Sequence, residues 1–309
     1  MIAAIIRELA QTSAVCRLLP IARLESIRSR LAEFAGANEL NGFQSWILGE
    51  LYAFTPPELP FLPLSILIVA SPLYARQPIT FEAEGKTYAC RSTAGLIDPA
   101  NAPDRLAQRL TEILDPYRYQ LRYAPALPHK RLAAHSGLAH YGRNNLCYVP
   151  GMGSYLELSS FLTDLPCRED PWRELSPAEH CQHCDACVKA CPTEAIRQDR
   201  FLIDNERCLT HLQDYQGDFP AWVPTSAHNC VRECLKCQAI CPMNLPFRHR
   251  AAAPVAFDGA ETALLLAGTP YAALPPALQC RLESLGWQDT YDILPRNLRA
   301  LFAAIDSAC

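Results

Sequence analysis

Hydrophobic residues in the first part of the chain follow helical spacing in some segments and strand-like spacing in others. Segments 2–9 and 21–34 repeat apolar residues at intervals of three or four positions, which predicts amphipathic helices. The largely apolar segment 64–70 has a proline close to each end and predicts a buried strand. Helices and strands therefore alternate from the start of the chain.

The same alternation continues toward residue 165. A second strand is predicted over 81–90, with a turn near Glu84-Gly85. A helix is predicted from Pro103, because proline suits the first helical turn. Another helix is predicted over 130–136 and ends at Gly137, since glycine commonly follows the last helical residue. Residues 1–165 are thus predicted to form a mixed α/β domain.

The last segment of the chain is predicted to be helical. Helices are expected over 261–266, 275–285 and 297–305, where apolar residues again recur at helical spacing. A tail of this size is too small to bury a core of its own. We therefore expect it to pack against the rest of the protein.

Composition adds that the chain is globular and carries no overall basic excess. Of 309 residues, 50% are hydrophobic, and the formal net charge is −4. The least charged stretch, 59–75, is too short and too rich in proline to span a membrane. The apolar start of the chain is interrupted by Arg7 and Glu8 and lacks the pattern of a secretory signal. These features predict a cytoplasmic protein with no membrane partner.

The spacing of the cysteines is the strongest chemical signal. Residues 181–192 read C-x2-C-x2-C-x3-C-P, and part of this run recurs as C-x2-C-x3-C-P at 234–242. Such runs hold 4Fe-4S clusters, because each iron needs a thiolate and two-residue gaps wrap a loop around one cluster face. The last cysteine of a run ligates the other cluster. The sequence predicts two 4Fe-4S clusters.

Zinc and disulfides are the alternatives to this interpretation. A zinc site would use two pairs of cysteines and would not need three evenly spaced thiols followed by Cys-Pro, twice over. The 15 cysteines could also indicate a secreted disulfide scaffold, but a chain of 309 residues can bury a core without disulfides. Iron–sulfur ligation is therefore favoured.

The second run lacks its opening cysteine. A strict copy of the first run would place that cysteine at position 231, where the chain has Val231. Cys208 and Cys230 are the candidates for the missing ligand, and spacing alone leaves both open. The predicted fold class is α+β, with an N-terminal mixed α/β domain at 1–165, a bacterial-ferredoxin-like double 4Fe-4S domain at 166–250 and a short helical tail at 251–309.

Several motifs occur together along the chain: the first cysteine run with Thr193 to Ile196, Arg207-Cys208-Leu209, the second run through Asn244, Ser136 to Leu146, Gly153-Ser154, Leu162 to Pro166 and Arg296-Asn297-Leu298. Together they resemble the epoxyqueuosine reductases, which are cobalamin-dependent enzymes of tRNA queuosine synthesis related to reductive dehalogenases. The resemblance is strong over about 120–245 and faint elsewhere.

The resemblance implies a ligand set for each cluster. One cluster, called cluster 1 below, takes Cys181, Cys184, Cys187 and Cys241. The other, cluster 2, takes Cys191, Cys208, Cys234 and Cys237. Cys230 then becomes a bystander. It and the other remaining cysteines are expected to be small buried hydrophobes: Cys16, Cys90, Cys147, Cys167, Cys280 and Cys309.

The resemblance also implies a bound cobalamin and a proton donor. The corrinoid would contact loop residues near the middle of the chain, although plain turns are the competing interpretation: Gly137, Gly142, Arg143, Asn144, Gly153 and Ser154. The family's donor is an aspartate, and Tyr123 occupies its position here. Tyr123 is the candidate acid, since the related dehalogenases use tyrosine; a partly buried structural tyrosine is the alternative.

One member of the cluster His129, Lys130, His135 and His140 could donate a proton or contact the corrinoid. The tyrosines Tyr141, Tyr148 and Tyr155 could line an apolar pocket or belong to the core. Singly, each histidine is more often a surface or satisfied core residue than a ligand.

The function predicted from the whole pattern is a reductase that passes electrons through two clusters to a cobalamin. A ferredoxin or flavodoxin type of protein would supply the electrons, and tRNA is a partner only by family analogy. Because Tyr123 replaces the family's aspartate, we expect epoxyqueuosine reduction to be weak or absent. The alternative is a non-catalytic dicluster ferredoxin-type carrier whose first domain docks partners.

Overall fold

The computed structural model describes residues 1–37, 40–92 and 101–308. Within them the chain divides into two compact units, Met1–Leu73 with Ile97–Cys184 and Tyr74–Leu96 with Asp185–Cys309. This grouping differs from the predicted three domains, since the segment after Leu73 joins the C-terminal half. The predicted boundaries at 165 and 250 stay a prediction.

Helices occur throughout the described chain, whereas all strands except the last one precede residue 164. The α-helices are α1 (Ile2–Ala10), α2 (Arg23–Ala37), α3 (Gly42–Trp46), α4 (Pro103–Leu114), α5 (His129–His135), α6 (Ala186–Ala190), α7 (Leu209–Gln213), α8 (Lys236–Ala239), α9 (Gly259–Ala267), α10 (Pro276–Ser284) and α11 (Leu294–Ala308). The strands are β1 (Val15–Pro20), β2 (Ser65–Pro72), β3 (Gln77–Ala83), β4 (Lys86–Ser92), β5 (Leu121–Tyr123), β6 (His140–Tyr141), β7 (Cys147–Tyr148), β8 (Leu156–Thr163) and β9 (Val255–Phe257).

The first unit is built on an antiparallel sheet in the order β1-β2-β8-β5. Side chains alternate between its faces, as strand geometry requires. Ile66 and Ile68 of β2 enter the core that α2 and α5 cover, whereas Leu67 and Val69 enter the core that α1 and α4 cover. The predicted strand at 64–70 is confirmed, and its apolar run from Ile66 to Ala70 follows from burial on both faces.

Local signals fix several helix ends in this unit. The Asn41 side chain caps α3 by accepting a hydrogen bond from the backbone N–H of Gln44. The Gln44 side-chain oxygen accepts one from the backbone N–H of Asn41. Helix α4 begins at Pro103, as predicted. Helix α5 ends at His135, and Gly137 follows with a φ of 70°, a conformation that glycine adopts without strain.

The second unit has a smaller sheet in the order β4-β3-β9, with β9 parallel to β3. Helices α9, α10 and α11 contribute to its core, in which the rings of Phe81 and Phe257 stack at 4.8 Å and Trp287 is fully buried. The strand predicted over 81–90 is wrong in detail. It is a hairpin, since Glu84-Gly85 both have positive φ and reverse the chain.

The predicted helical tail is confirmed as α9, α10 and α11. Asp258 and Glu261 form a reciprocal cap at the start of α9, and Gly268 ends this helix with a positive φ. Among residues 1–37, 40–92 and 101–308, no helix has the length and apolar character needed to cross a membrane.

Candidate functional site

The predicted ligands of cluster 2 all lie in the second unit. Cys191 ends helix α6, and its sulfur accepts a bond from the amide of Ala195 at 3.2 Å. Thr193 lies beside it, with 3.8 Å between the Cys191 sulfur and the Thr193 hydroxyl. An N–H directed at sulfur stabilises a thiolate, which is the form that binds iron.

Cys208 stands at the start of helix α7 and is connected to Cys234 through Thr210. The amides of His211 and Thr210 and the Thr210 hydroxyl bond to the Cys208 sulfur. The Thr210 hydroxyl also accepts a bond from the Cys234 amide at 3.1 Å. Burial raises the pKa of the Cys208 thiol, the hydrogen bonds oppose this rise, and the nearby Cys234 adds to it.

The segment that carries Cys234 and Cys237 has an unusual backbone. Glu233 and Leu235, which flank Cys234, have φ values of 62° and 52°. Left-handed conformations of residues other than glycine cost free energy and persist where the surroundings hold them, often at functional sites. Leu235 then starts α8, which carries Cys237 and packs against α6. Helices α6 and α8 therefore bring parts of the two cysteine runs together.

Cys230, the other candidate ligand, has a different environment. It is fully buried, and burial raises the pKa of its thiol well above the usual range. Its Sγ donates to Asn229 Oδ1 at 3.3 Å, and its carbonyl accepts from Gln213 Nε2 at 3.0 Å. The thiol and the carbonyl of Cys230 are thus both hydrogen-bonded to neighbouring side chains. The choice between Cys208 and Cys230 stays a prediction, with Cys208 preferred.

The donor set fits iron–sulfur chemistry. Every cysteine in the described part of the chain is free rather than paired in a disulfide. Sulfurs of Cys191, Cys208 and Cys234 each accept hydrogen bonds of the kind that stabilise cluster thiolates. Within the described ranges, no three His, Cys, Asp or Glu side chains converge on a site for a single ion.

The predicted ligands of cluster 1 are divided between the two units. Cys181 and Cys184 belong to the first unit, and Arg143 of that unit donates to the carbonyls of both, at 2.9 Å and 3.3 Å. Cys187 lies in α6 of the second unit, where Cys241 precedes a short turn at Pro242–Asn244. Buried Asn244 supports this turn through a bond to the carbonyl of Gln238.

The predicted corrinoid loops are packed by the chain itself. A Cβ on Gly142 would lie 2.5 Å from Tyr148 Cε2 and 2.8 Å from Asn144 Oδ1, so glycine is required by this close approach. Asn144 donates to the Tyr148 hydroxyl at 3.0 Å, inside the β6–β7 hairpin. A Cβ on Gly137 would lie 2.8 Å from Arg173 Nε. Packing against Tyr148 thus accounts for Gly142, and the positive φ accounts for Gly137, since the Arg173 side chain is flexible.

The remaining corrinoid candidates form a tight turn after β7. The amide of Gly153 donates to the carbonyl of Val149 at 3.1 Å, and the reverse bond measures 2.9 Å. Ser154 is buried. The described contacts of these residues provide no independent support for a corrinoid, and their role as cobalamin contacts stays a prediction.

Tyr123 lies at the end of β5, opposite Phe161 of β8. Its ring packs with Phe161 in the core covered by α1 and α4, whereas the Gly137 and Gly142 segments border the core on the other face of the sheet. Burial raises the pKa of Tyr123, and the carboxylates of Glu157 and Asp104 add to the rise. Its ring also stacks parallel to the imidazole of His129, with 6.5 Å between the ring centres. The role of Tyr123 as the acid stays a prediction.

The histidines and the lysine have separate environments. His129 Nδ1 bonds Ser160 Oγ at 2.8 Å, and burial lowers the pKa of His129 to about 4. His135 is buried against Trp172, with rings stacked at 4.0 Å, and burial lowers its pKa. Lys130 donates to the carbonyl of Asn145, and burial lowers its pKa. His140 is exposed.

The tyrosines named with them lie in the hairpin region of the first unit. Tyr148 and Tyr155 are buried, and Tyr141 is half-buried beneath Arg131, whose guanidinium carbon lies 5.6 Å from the ring centre. Burial raises the pKa of Tyr141 well above its ordinary value. They are core residues in this unit.

The other cysteines follow the expected pattern only in part. Cys16, Cys147 and Cys230 are buried, as expected of small hydrophobes, and Cys90 and Cys167 are half-buried. The expectation is wrong for Cys280, which is exposed. Cys309 lies outside the described residues.

Sequence reasoning missed the polar residues that organise the sulfurs. Thr210 and Asn229 contact predicted ligands, and Arg143 contacts the carbonyls of two more. For Thr210 and Asn229, the available signal was that they lie close in sequence to the cysteines. Nothing in the sequence distinguishes them from ordinary turn residues, since their roles depend on the path of the loop.

Comparisons with known proteins agree with the cysteine pattern. A family model described as a 4Fe-4S double cluster binding domain matches residues 180–244. This range includes all eight predicted ligands. The protein therefore contains a double 4Fe-4S domain.

Curated relatives carry the name epoxyqueuosine reductase. The protein of that name from Pseudomonas aeruginosa is 33% identical over 143 residues, which is 45% of this chain and 38% of the relative. One from Synechococcus is 34% identical over 124 residues, covering 39% of this chain and 37% of the relative. The matched stretch thus spans well under two thirds of the relatives' length.

Solved structures extend the similarity to the fold of nearly the whole chain. Epoxyqueuosine reductase from Bacillus subtilis superposes with a TM-score of 0.65 at 18% identity, covering 99% of this chain and 82% of that one. An epoxyqueuosine reductase solved with an epoxyqueuosine-modified tRNA stem loop gives 0.66 at 18% identity, with the same coverage. The predicted α+β fold class and the resemblance to this family are confirmed.

Proposed function

We propose that this chain is a cytoplasmic iron–sulfur reductase of the epoxyqueuosine reductase type, with electrons passing through two 4Fe-4S clusters. One observation carries the proposal furthest. Thr210 connects Cys208 to Cys234 by bonds to the sulfur of one and the amide of the other. A cysteine distant from both runs is thereby held beside the incomplete second run, as a four-thiolate cluster requires.

The protein's own part in this function is to hold and tune the clusters. The clusters supply one-electron chemistry when bound. Amide donors at Cys191 and Cys208 favour the thiolate form, and burial around Cys234 limits access of water. Arg143 positions the loop of Cys181 and Cys184 through two carbonyls. An external ferredoxin or flavodoxin type of protein would deliver electrons.

Cobalamin and tRNA enter the proposal by resemblance. The motifs shared with the epoxyqueuosine reductases support cobalamin as the group that clusters reduce, with Gly137, Gly142, Arg143, Asn144, Gly153 and Ser154 as the predicted contacts. Two of these residues already have internal contacts, Gly142 with Tyr148 and Arg143 with the carbonyls of the Cys181–Cys184 loop. A relative solved with a tRNA stem loop supports tRNA as a partner.

A non-catalytic dicluster electron carrier is the second candidate. Two packing contacts favour it: Tyr123 packs with Phe161 in the core covered by α1 and α4, and the Tyr148 ring lies too close to Gly142 for a side chain there. A carrier would need the clusters but neither an acid nor a corrinoid. The first unit would then dock electron-transfer partners.

Cobalamin binding separates the two candidates. The protein is purified without oxygen, its clusters are reconstituted, and hydroxocobalamin is added before dialysis and a visible spectrum. The reductase proposal predicts about one retained cobalamin per chain, since a single corrinoid serves one active site. Full iron loading with no retained cobalamin would contradict the reductase and favour the carrier.

The substrate is tested separately in a strain that lacks epoxyqueuosine reductase. We expect little queuosine in its tRNA when this chain is supplied, because no aspartate occupies the donor position and burial raises the pKa of Tyr123. Full restoration would show the expectation to be wrong. Tyr123→Phe would then establish whether Tyr123 or another acid acts.

A further inference from the structure

We propose that Asn229 tunes the reduction potential of cluster 2 by donating an N–H to the Cys234 sulfur, and that the Cys230 thiol orients the Asn229 amide for this role. The inference rests on the proposed function only in taking Cys234 as a cluster ligand. It assigns a task to two residues that lie outside both cysteine runs, one of which would otherwise be a bystander.

The contacts of Asn229 form a short chain that leads to the cluster sulfur. Asn229 Nδ2 lies 3.3 Å from Cys234 Sγ and 2.8 Å from the carbonyl of Ala227. An amide nitrogen has two hydrogens, so both bonds form at once. On the other side, Cys230 Sγ donates to Asn229 Oδ1 at 3.3 Å.

Only one orientation of the amide satisfies these neighbours. If the oxygen and nitrogen exchanged places, Oδ1 would face the carbonyl oxygen of Ala227 and the thiolate of Cys234, which are both acceptors. The amide nitrogen would then face the Cys230 thiol, which is a weak acceptor. The Ala227 carbonyl and the Cys230 thiol therefore aim an N–H at Cys234.

The burial of this chain of bonds makes the N–H effective. Cys230 and Ala227 are fully buried, and Cys234 is 9% exposed. A hydrogen bond to a charged group is stronger where water cannot compete. Burial among apolar groups also favours the neutral thiol of Cys230, which retains its hydrogen for Oδ1.

The sign of the effect follows from charge. Reduction adds one electron from the external donor to the cluster and makes its sulfurs more negative. An N–H dipole directed at a sulfur stabilises the reduced form more than the oxidised form, and hydrogen bonds to sulfur are among the determinants of cluster potentials. Loss of this N–H therefore lowers the potential of cluster 2 and leaves that of cluster 1 unchanged.

The test is an anaerobic potentiometric titration of the reconstituted full chain, followed by electron paramagnetic resonance. Asn229→Ala should make reduction of one cluster about tenfold less favourable, a shift of about 59 mV for one electron. The shifted cluster should be the one that Cys208→Ser removes. The wild-type titration with dithionite provides the reference.

Cys230 supplies a matched pair of variants. Cys230→Ser keeps a donor for Oδ1 and should titrate like the wild type, whereas Cys230→Ala should shift the same cluster in the same direction as Asn229→Ala, by less than tenfold. A purely structural role would lower the melting temperature without moving the potential. If Asn229→Ala does not bind iron, the inference is tested by whether Cys230→Ala and Cys230→Ser differ in the reduction potential of cluster 2.

Each outcome has a definite meaning. Unchanged potentials of both clusters in Asn229→Ala and Cys230→Ala, at full iron content, would overturn the inference. A shift confined to cluster 1 would also overturn it. A wild-type protein that binds no clusters, or a Cys234→Ser variant with full iron, would instead contradict the proposed ligand set.

Discussion

Backbone and side-chain groups close in sequence to the cysteines supply hydrogen bonds to the predicted cluster sulfurs. Ala195 lies four positions after Cys191, and its amide bonds that sulfur. Thr210 follows Cys208 by two positions and bonds it in the same way. The cysteines were predictable because cluster geometry dictates their spacing, whereas these donors depend on loop conformation.

The assignment of Cys208 gives the first prediction. Cys208→Ser should lose about four iron atoms per chain or convert one cluster to a form with less iron, because Cys208 lies beside Cys234. Cys230→Ser is the matched control and should keep its iron. Iron content measured after anaerobic reconstitution checks both. The reverse pattern would make Cys230 the ligand and weaken the family assignment.

A second prediction concerns Arg143, a predicted corrinoid contact whose guanidinium donates to the loop of Cys181 and Cys184. Arg143→Ala removes two bonds to carbonyls, each worth about 1 to 3 kcal/mol, and should speed the loss of cluster 1 in air. Arg143→Lys should be intermediate, since lysine lacks the planar fork that spans two acceptors.

Arg131 provides the control for this experiment. It belongs to the same region and covers the rings of Phe34 and Tyr141, but it is not bonded to either cysteine carbonyl in the contacts described here. Arg131→Ala should therefore leave the decay of the cluster spectrum unchanged. Equal decay in the Arg143→Ala and wild-type proteins would show that the loop holds without Arg143.

At the scale of elements, most helices and the central strand followed from local patterns. Helices α1, α2, α4 and α5 lie where apolar spacing, Pro103 and Gly137 predicted them. Strands β1, β5 and β8 were missed. β5 is only three residues long. β8 has two serines among its apolar residues, and because both serines are buried, its sequence lacks a clear alternation of polar and apolar positions. Strands of this kind depend on partners distant in sequence.

The β6–β7 hairpin gives a prediction about Gly142. Gly142→Ala should destabilise the protein by about 1 to 3 kcal/mol, because the new methyl group would overlap the Tyr148 ring. Gly36→Ala in α2 is the control. It meets no atom within 4 Å and should stabilise by about 0.5 to 1 kcal/mol, since alanine favours a helix.

Thermal melts of the two glycine variants test this prediction. The two melting temperatures should move in opposite directions relative to the wild type. A Gly142→Ala protein with an unchanged melting temperature would mean that Tyr148 moves aside at no cost, and it would leave space at the hairpin for a ligand.

Helix α11 is tied to the segment after Cys208 by a pair of polar residues. Asn297 is buried and donates to the carbonyl of Gln213 at 3.1 Å, and Arg296 donates to the same carbonyl and to that of Leu212. Gln213 in turn bonds the carbonyl of Cys230. The helical tail therefore supports the region that carries the cluster ligands.

Asn297→Ala should lower the free energy of unfolding by about 1 to 3 kcal/mol, because it removes buried hydrogen bonds. The control is Arg299→Ala in the same helix. It removes an exposed bond to the carbonyl of Leu266 and should cost only about 0.5 kcal/mol. Chemical denaturation of both variants provides the measurement. Equal stability of the two variants would contradict the structural role of Asn297.

At the scale of the whole molecule, no local pattern indicates that the β3–β4 hairpin groups with the C-terminal half. The parallel pairing of β3 with β9 joins Ile79 to Val255 across most of the chain. Pairings of such long range leave no local signal, because turn and helix propensities act over a few residues. The double 4Fe-4S domain, by contrast, could be predicted from the sequence because most of its predicted ligands are close together along the chain.

Iron and acid-labile sulfide content of the anaerobically reconstituted protein tests the central claim most directly. Two cubane clusters predict about eight iron and about eight sulfide per chain, with little zinc. The spectrum should bleach on reduction with dithionite. Near-stoichiometric zinc with little iron, in protein prepared without oxygen, would contradict the account.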